Sequence, residues 1–372
     1  MSLNLSEEDC LNSSYYEMYD RFSELIYGWI SLPIILFGFW SNLLSVLIFS
    51  HRAMLSTPIN WYLICLSLSD ALILVTSFFM FCAPNFGQAL GWFRLAQLSY
   101  HTTPLVYALG LMSQTASVYL TVLMSLHRFI GVCFPFKAHL FLKRSNVLLA
   151  ILMVLLFAFC FNVGRFFEVR VVIECWNFNI NLTMPVLGMT PLRRDQIYMA
   201  LFFGWVYTIV MFCAPFALLI VTNSKVILAV RRTTRLHEAM VTLQEDPNKK
   251  RELAKEVSTS IMLVGVVVVF LACNSLTFVV NIIENFLPSF PSVRSFYQRM
   301  VVVANLLVVV NASINILVYC SFSNKYRFLL RYYLCCWRMR YNYRLPPTLS
   351  NVFHPTVEEC DEEIQMKCSV NL

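Results

Sequence analysis

The sequence predicts an all-α membrane protein, a seven-transmembrane-helix bundle with an amphipathic eighth helix. The first observation is composition: the 372 residues are 58% hydrophobic with a mean hydropathy of +0.65, and only 13% are charged. A soluble domain carries about 25% charged residues. The second is a set of seven apolar runs, each near or above the roughly 20 residues that span a bilayer. The third is a basic, aromatic stretch that follows the last run.

The seven apolar runs define the predicted domain organisation. They cover residues 26–49, 61–82, 100–127, 146–168, 198–222, 257–283 and 299–321. We therefore predict an extracellular N-terminal segment (1–25), a seven-helix domain (26–322), a membrane-surface helix (323–336) and a disordered cytoplasmic tail (337–372). The sequence shows no internal repeat, whereas many transporters consist of repeated halves.

The distribution of basic residues predicts the orientation in the membrane. The loops after spans one, three and five, together with the tail, contain 20 of the 28 lysines and arginines. Basic loops stay on the cytoplasmic side, so we expect a multi-pass plasma-membrane protein with an extracellular N-terminus and a cytoplasmic C-terminus. The glycosylation sequons at Asn4, Asn12 and Asn181 all fall on the predicted outer side.

Two charged residues within or next to the apolar runs are candidate functional groups. Arg128 lies just past the third run, where an arginine either extends to the membrane interface or acts as a switch. Asp70 is the only carboxylate in the middle of a predicted span. It is either a neutral, hydrogen-bonded group between helices or, with Ser117, Asn311 and Asn315 at similar depth, part of an oxygen-rich sodium site.

The stretch after span seven reads SNKYRFLLRYYLCCWRMR. Basic residues alternate with aromatic and apolar ones, which is typical of a helix lying on the lipid surface of the inner leaflet. Cys335 and Cys336 end this stretch in a context that suits palmitoylation.

These motifs together resemble those of rhodopsin-like, class A G-protein-coupled receptors. Span two contains LSLSD, span three ends in His127-Arg128-Phe129, span five contains Pro215, and span seven contains NILVY. Further segments resemble invertebrate FMRFamide-type neuropeptide receptors: QTASVYLTV, NVGRFFE and VNASINILVYCSFSNKYR. The wider resemblance covers approximately residues 26–335.

The resemblance implies a receptor for an extracellular neuropeptide, RF-amide-like, that signals through a heterotrimeric G protein and also meets arrestin and membrane lipids. A cationic peptide with a C-terminal phenylalanine amide needs carboxylates and aromatic walls at the outer mouth. The candidate ligand contacts are Glu168, Glu174, Asp195, Glu284, Tyr107, Trp176 and Tyr198. Each has a plainer interpretation, because tyrosine and tryptophan are common at any membrane interface and Glu168 can pair with Arg165.

The candidate switch residues depart from the class pattern. His127 replaces the acidic neighbour of Arg128, so we expect a weaker inactive state and a raised basal signal, with Glu256 as the remaining partner for Arg128. Asn315 and Tyr319 frame a span-seven motif without its usual proline, and Asn223 stands where a tyrosine often lies. Thr103 occupies the position of the usual span-three cysteine, which makes Cys82–Cys175 the preferred disulfide and Cys10–Cys175 the alternative.

Other function classes fit less well. A chemosensory receptor of the same fold stays open as an alternative, since fold does not select the ligand. A transporter would need more than one buried carboxylate, and an enzyme would need a cluster of metal-ligating or catalytic groups within the spans. The basic residues are concentrated on the predicted cytoplasmic side, so the net positive charge does not indicate a nucleic-acid partner. We expect no cofactor other than an allosteric sodium ion.

Overall fold

The structure is a computed structural model that describes residues 21–177, 182–240, 247–286 and 294–342, with some side chains inside these ranges left out. Seven helices in these ranges are long and apolar enough to cross a membrane. We label them α1 to α7: Arg21–Phe49, Ile59–Gly87, Phe93–Cys133, Arg144–Phe167, Gln196–Arg232, Thr259–Glu284 and Phe296–Phe322. The predicted seven-helix membrane bundle is confirmed.

The helices are longer than the apolar runs that predicted them. Helix α3 has 41 residues and continues through Pro104, which corresponds to roughly 62 Å at 1.5 Å per residue. Helix α6 belongs to the longer helix Pro247–Phe286. Short helices at Arg52–Leu55, Pro135–Phe141 and Pro191–Arg194 lie between the spans. The helices therefore continue, through polar turns at their ends, beyond the apolar runs from which the spans were predicted.

Several helices contain irregular turns. Wide π-helical turns occur at Glu24–Ile30, Phe78–Cys82, Met199–Val206 and Ile209–Cys213. Helix α7 spans two helical segments, Arg294–Ser313 and Asn315–Phe322, of which the first begins two residues before the span; they join at Ile314 with φ −94° and ψ 0°. The break persists although Ile316 replaces the proline that the class has in this segment.

A β-hairpin that the sequence analysis did not predict lies between α4 and α5. Strands β1 (Val169–Asn177) and β2 (Leu182–Met189) pair antiparallel, with an irregularity between Val171 and Ile173. We call the end of the bundle next to this hairpin the hairpin end, and the end near Arg128 the opposite end.

Two apolar clusters form the core of the bundle. The first joins α3, α5 and α6 through Val118, Val122, Tyr207, Met211, Phe212, Leu219, Val267 and Phe270. The second joins α1, α2 and α7 through Ile35, Ile73, Leu74, Cys82, Val309 and Ala312. Large side chains such as Trp40 and Met153 instead point outward, as lipid-facing positions require.

Helices α1 and α7 approach each other closely at Gly38. A Cβ atom at this position would overlap the Ser313 Oγ and crowd a methyl group of Leu74. Asn42 Nδ2 donates across the interface to the Ala312 carbonyl at 2.7 Å, and Ser313 Oγ donates to the Ile34 carbonyl at 3.2 Å. Small and polar residues thus join these helices, as is common in membrane bundles.

The described residues form two compact units that divide after Asn324. The helix predicted after span seven is present as α8 (Asn324–Asn342), and it runs beyond the predicted end at residue 336. The side chains of Cys335 and Cys336 lie outside the described residues, so their palmitoylation stays a prediction.

Candidate functional site

A cavity of about 850 Å³ opens within the bundle at the hairpin end. Side chains of α1 to α7 and of the segment after β2 line it. Its volume lies within the roughly 300–1,000 Å³ of small-ligand sites. The cavity is large enough for the end of a peptide.

One wall of the cavity is built around Glu168, at the end of α4. Its Oε1 accepts hydrogen bonds from Arg165 Nη1 (3.1 Å) and Tyr198 Oη (2.6 Å). Its Oε2 accepts from Arg193 Nη1 (2.9 Å) and Tyr107 Oη (3.2 Å). Residues 163–167 form a 3₁₀ turn, in which side chains three positions apart point the same way. The turn therefore sets Arg165 beside Glu168.

Arg165 is almost completely buried, with 1% of its surface exposed. Its guanidinium lies 5.4 Å from the ring centre of Phe202 and 5.2 Å from that of Tyr207. Aromatic faces attract cations, and the 0%-exposed Glu168 supplies the countercharge. Arg165, Arg193 and Tyr107 line the cavity, whereas Glu168 lies behind them. We call these four residues the arginine wall.

Glu284, on α6, is the carboxylate among the described lining residues. Tyr297 donates a side-chain hydrogen bond to it. Arg299 also lines the cavity and lies with its guanidinium 5.7 Å from the Phe22 ring centre. The charged groups of the described lining are thus three arginines and one glutamate, which makes Glu284 the group that suits a cationic ligand.

The predicted ligand contacts fall into three groups. Glu284 and Tyr107 line the cavity, and their contact with a ligand stays a prediction. Glu168 and Tyr198 do not line it: Tyr198 donates a hydrogen bond to Glu168, and both support the arginine wall. The buried position of Glu168 does not favour the direct ligand contact that was predicted for it. Its carboxylate has no exposed surface, and both oxygens are bonded to protein groups.

The other predicted contacts lie elsewhere. Glu174 is exposed and pairs with His101 at 3.8 Å, outside the cavity lining. Asp195 caps a helical turn by accepting a hydrogen bond from the Tyr198 backbone N–H at 2.7 Å. The side chain of Trp176 lies outside the described residues.

Arg193 and Arg299 line the cavity but were not predicted as site residues. A signal was present, since only eight of the 28 basic residues lie outside the four basic segments, and these two are among them. A cation on the sparsely charged side of a membrane protein is worth considering as a site residue.

Asp70 forms a buried polar cluster deeper in the bundle. Ser117 Oγ donates to its Oδ1 at 2.8 Å, and Asn315 Nδ2 donates to its Oδ2 at 2.7 Å. Asn311 is also buried, at 9% exposure. A sodium ion requires oxygen ligands: Asp70 and Ser117 supply them, whereas Asn315 presents its amide nitrogen. The cluster fits a sodium ion in part and directly links α2, α3 and α7.

The opposite end of the bundle contains the predicted switch residues. The His127 ring packs edge-on against Tyr62 with 5.6 Å between ring centres, and Tyr319 packs against Phe49 at 5.1 Å. Close to Arg128 along α3, Ser125 Oγ lies 2.6 Å from Thr222 Oγ1 and accepts a hydrogen bond from Asn223 Nδ2 at 2.7 Å. These contacts join α3 to α5. The Glu256 side chain lies outside the described residues.

The predicted disulfide is not formed at Cys82. This residue is a buried free thiol, and its Sγ donates to the Tyr27 carbonyl at 2.9 Å. Packing between α1 and α2 therefore encloses the thiol. The side chain of Cys175 and the residues Cys10, Asn4, Asn12 and Asn181 lie outside the described residues.

Comparisons with known proteins agree with this architecture. A family model described as 7 transmembrane receptor (rhodopsin family) matches residues 41–319. The Caenorhabditis elegans protein named Probable G-protein coupled receptor frpr-1 is 30% identical over 363 residues, which cover 92% of this chain and 87% of that protein. FMRFamide peptide receptor frpr-18 of the same organism is 30% identical, over 82% of this chain and 69% of the relative. The FMRFamide receptor of Drosophila melanogaster is 28% identical over 80% of this chain, which spans 52% of that relative.

Proposed function

This chain belongs to the rhodopsin family of seven-transmembrane receptors, and on that premise we propose that it detects an extracellular neuropeptide ending in Arg-Phe-amide or a close variant. Two of the similar proteins carry the name FMRFamide receptor or FMRFamide peptide receptor, which supports this ligand class. The chain is a multi-pass membrane protein, and we propose that it lies in the plasma membrane with its hairpin end outside.

The observation that carries the proposal is the carboxylate of Glu284 on the cavity lining. A guanidinium entering the cavity is repelled by the three lining arginines and attracted by Glu284. Tyr297 bonds to that carboxylate and holds it in place. An amidated peptide supplies the cation through its arginine side chain, and its phenylalanine ring suits the aromatic and aliphatic part of the lining.

Signalling is then a shift between helix arrangements. A ligand moves the equilibrium by the difference between its affinities for the two arrangements. The heterotrimeric G protein binds at the opposite end, near Arg128, with arrestin and anionic lipids as further partners of the basic loops. A sodium ion held by Asp70 and Ser117 would favour the ligand-free arrangement by joining α2 to α3.

The test is a double-mutant cycle between receptor and ligand. The peptide Phe-Met-Arg-Phe-amide and its citrulline analogue, which lacks the arginine charge, are applied to the wild-type receptor and to Glu284→Gln. We expect the citrulline peptide to lose about tenfold in potency on the wild type, which corresponds to about 1.4 kcal/mol. On the variant both peptides should be equally weak, because the charge pair is already lost.

Glu24→Gln serves as the control, since Glu24 is a carboxylate of α1 that follows the lining residue Ser23 but lies outside the cavity lining itself. It should keep the wild-type preference for arginine. Equal potencies of the two peptides on the wild type, or a preference that survives in Glu284→Gln, would contradict the role of Glu284. Silence of a surface-expressed receptor toward all amidated peptides would favour a chemosensory receptor of the same fold.

A further inference from the structure

The arginine wall carries a net charge that depends on one hidden residue. Arg165 and Arg193 contribute two positive charges, and Glu168 removes one of them through its hydrogen bonds to both guanidiniums. Both arginines line the cavity, but the exposed side-chain surface belongs to Arg193, at 17%, whereas the side chains of Arg165 and Glu168 have none. A ligand therefore meets the Arg193 guanidinium, and the buried Glu168 and Arg165 behind it set the net charge of the wall.

We infer that Glu168 determines whether the receptor prefers a C-terminal amide or a free C-terminal carboxylate on its peptide ligand. The inference rests on the proposed function, because it assigns the arginine wall to the end of a bound peptide. Glu168 acts as a positioning and specificity-determining residue without touching the ligand.

The charge pattern of the cavity orients the peptide. The ammonium at a peptide's N-terminus and its arginine side chain are both repelled by a wall of net positive charge, and the arginine has Glu284 as its partner. The C-terminal carbonyl accepts hydrogen bonds, and the wall offers guanidinium N–H groups of the partly exposed Arg193 as donors. The C-terminus is thus the part of the peptide that fits this wall.

The same charges decide between amide and carboxylate. A carboxylate loses far more hydration than an amide when it leaves water. A wall of net charge +1 offsets this loss less than one of +2, and the Glu168 carboxylate behind the arginines repels a second carboxylate. The native wall therefore favours the neutral amide, and removal of the Glu168 charge shifts the preference toward the acid.

Charge variants of the wall test this inference. Phe-Met-Arg-Phe-amide and the Phe-Met-Arg-Phe free acid are compared by concentration-response curves in cells, with surface receptor measured through an N-terminal epitope tag. The readout is the acid-to-amide potency ratio. Glu168→Gln gives a wall of +2, and we expect the ratio to rise about tenfold. Arg193→Gln gives a neutral wall and should lower the ratio.

The double variant Glu168→Gln/Arg193→Gln has the native net charge of +1, so its ratio should return toward the wild-type value although the hydrogen bonds are lost. Arg170→Gln is the control, because Arg170 is an exposed arginine of β1 outside the cavity lining. Its ratio should equal that of the wild type.

Each outcome of these measurements either supports or overturns the inference about Glu168. A wild-type ratio in surface-expressed Glu168→Gln overturns the inference while leaving the peptide-receptor function intact. If that variant does not reach the surface, Arg193→Gln decides, since an unchanged or raised ratio there overturns the inference equally. A wild-type receptor that responds to neither peptide contradicts the proposed function itself, and the assignment of the wall falls with it.

Discussion

Replacing Asn223 with alanine should raise the receptor's signal in the absence of ligand. Asn223 Nδ2 donates to Ser125 Oγ at 2.7 Å across the α3–α5 interface, and also to the Leu219 carbonyl of its own helix at 2.7 Å. Asn223 and Ser125 are 8% and 2% exposed. The variant removes one buried bond that joins α3 to α5 close to Arg128.

The size of the effect follows from that one bond. A buried intramolecular hydrogen bond contributes about 1 kcal/mol net, which corresponds to about fivefold in an equilibrium constant. If the bond exists only in the ligand-free arrangement, the minor, active population rises about fivefold. Ser125→Ala removes both contacts across the interface, with Asn223 and with Thr222, so its effect should be larger.

The assay is basal G-protein signalling at matched surface expression. Adding Asn223→Ala to Ser125→Ala should produce no further rise, because the shared bond is already absent. Thr121→Val is the control: Thr121 is equally buried on α3, but its hydroxyl donates to the Ser117 carbonyl of its own helix at 2.9 Å. Wild-type basal signal in Asn223→Ala would refute the reasoning that this contact restrains the receptor.

Two further predictions concern the bundle itself. Gly38→Ala should lower the thermal stability of the detergent-purified receptor, because the added Cβ forces α1 and α7 apart at a cost of about 1–3 kcal/mol. The control Gly28→Ala should keep the wild-type melting temperature, since its Cβ would lie 3.7 Å from its nearest neighbour. Equal melting temperatures of Gly38→Ala and the wild type would refute the close approach of these helices. Replacing sodium by N-methylglucamine should raise agonist potency several-fold in the wild type and leave Asp70→Asn unchanged; a sodium-independent wild type would exclude a sodium role for Asp70.

The seven spans could be predicted because burial in lipid requires long apolar runs, which the sequence displays directly. The helix ends could not be predicted in the same way, since the helical turns beyond the hydrocarbon region are polar. The hairpin Val169–Met189 also escaped prediction, because its strands lie between two much stronger hydrophobic signals.

The site was predictable only in part. Glu284 and Tyr107 could be selected as polar groups near helix ends, and the structure brings both to one cavity. The pairing of Glu168 with Arg165 was an alternative that the sequence offered, and it is present. The contribution of Arg193 could not be predicted, because it lies 25 residues away in the chain and returns through the hairpin. Asp195 looked like a ligand carboxylate but serves as a helix cap, a local role that the sequence pattern also allows.

The most direct test of the account is a panel of amidated peptides applied to cells that express this chain at the surface, read through a promiscuous G protein. We expect activation by peptides ending in Arg-Phe-amide, a lower potency when the terminal amide becomes an acid, and a lower potency when arginine becomes citrulline. Equal responses to amide and acid, or no response to any amidated peptide at confirmed surface expression, would contradict the account.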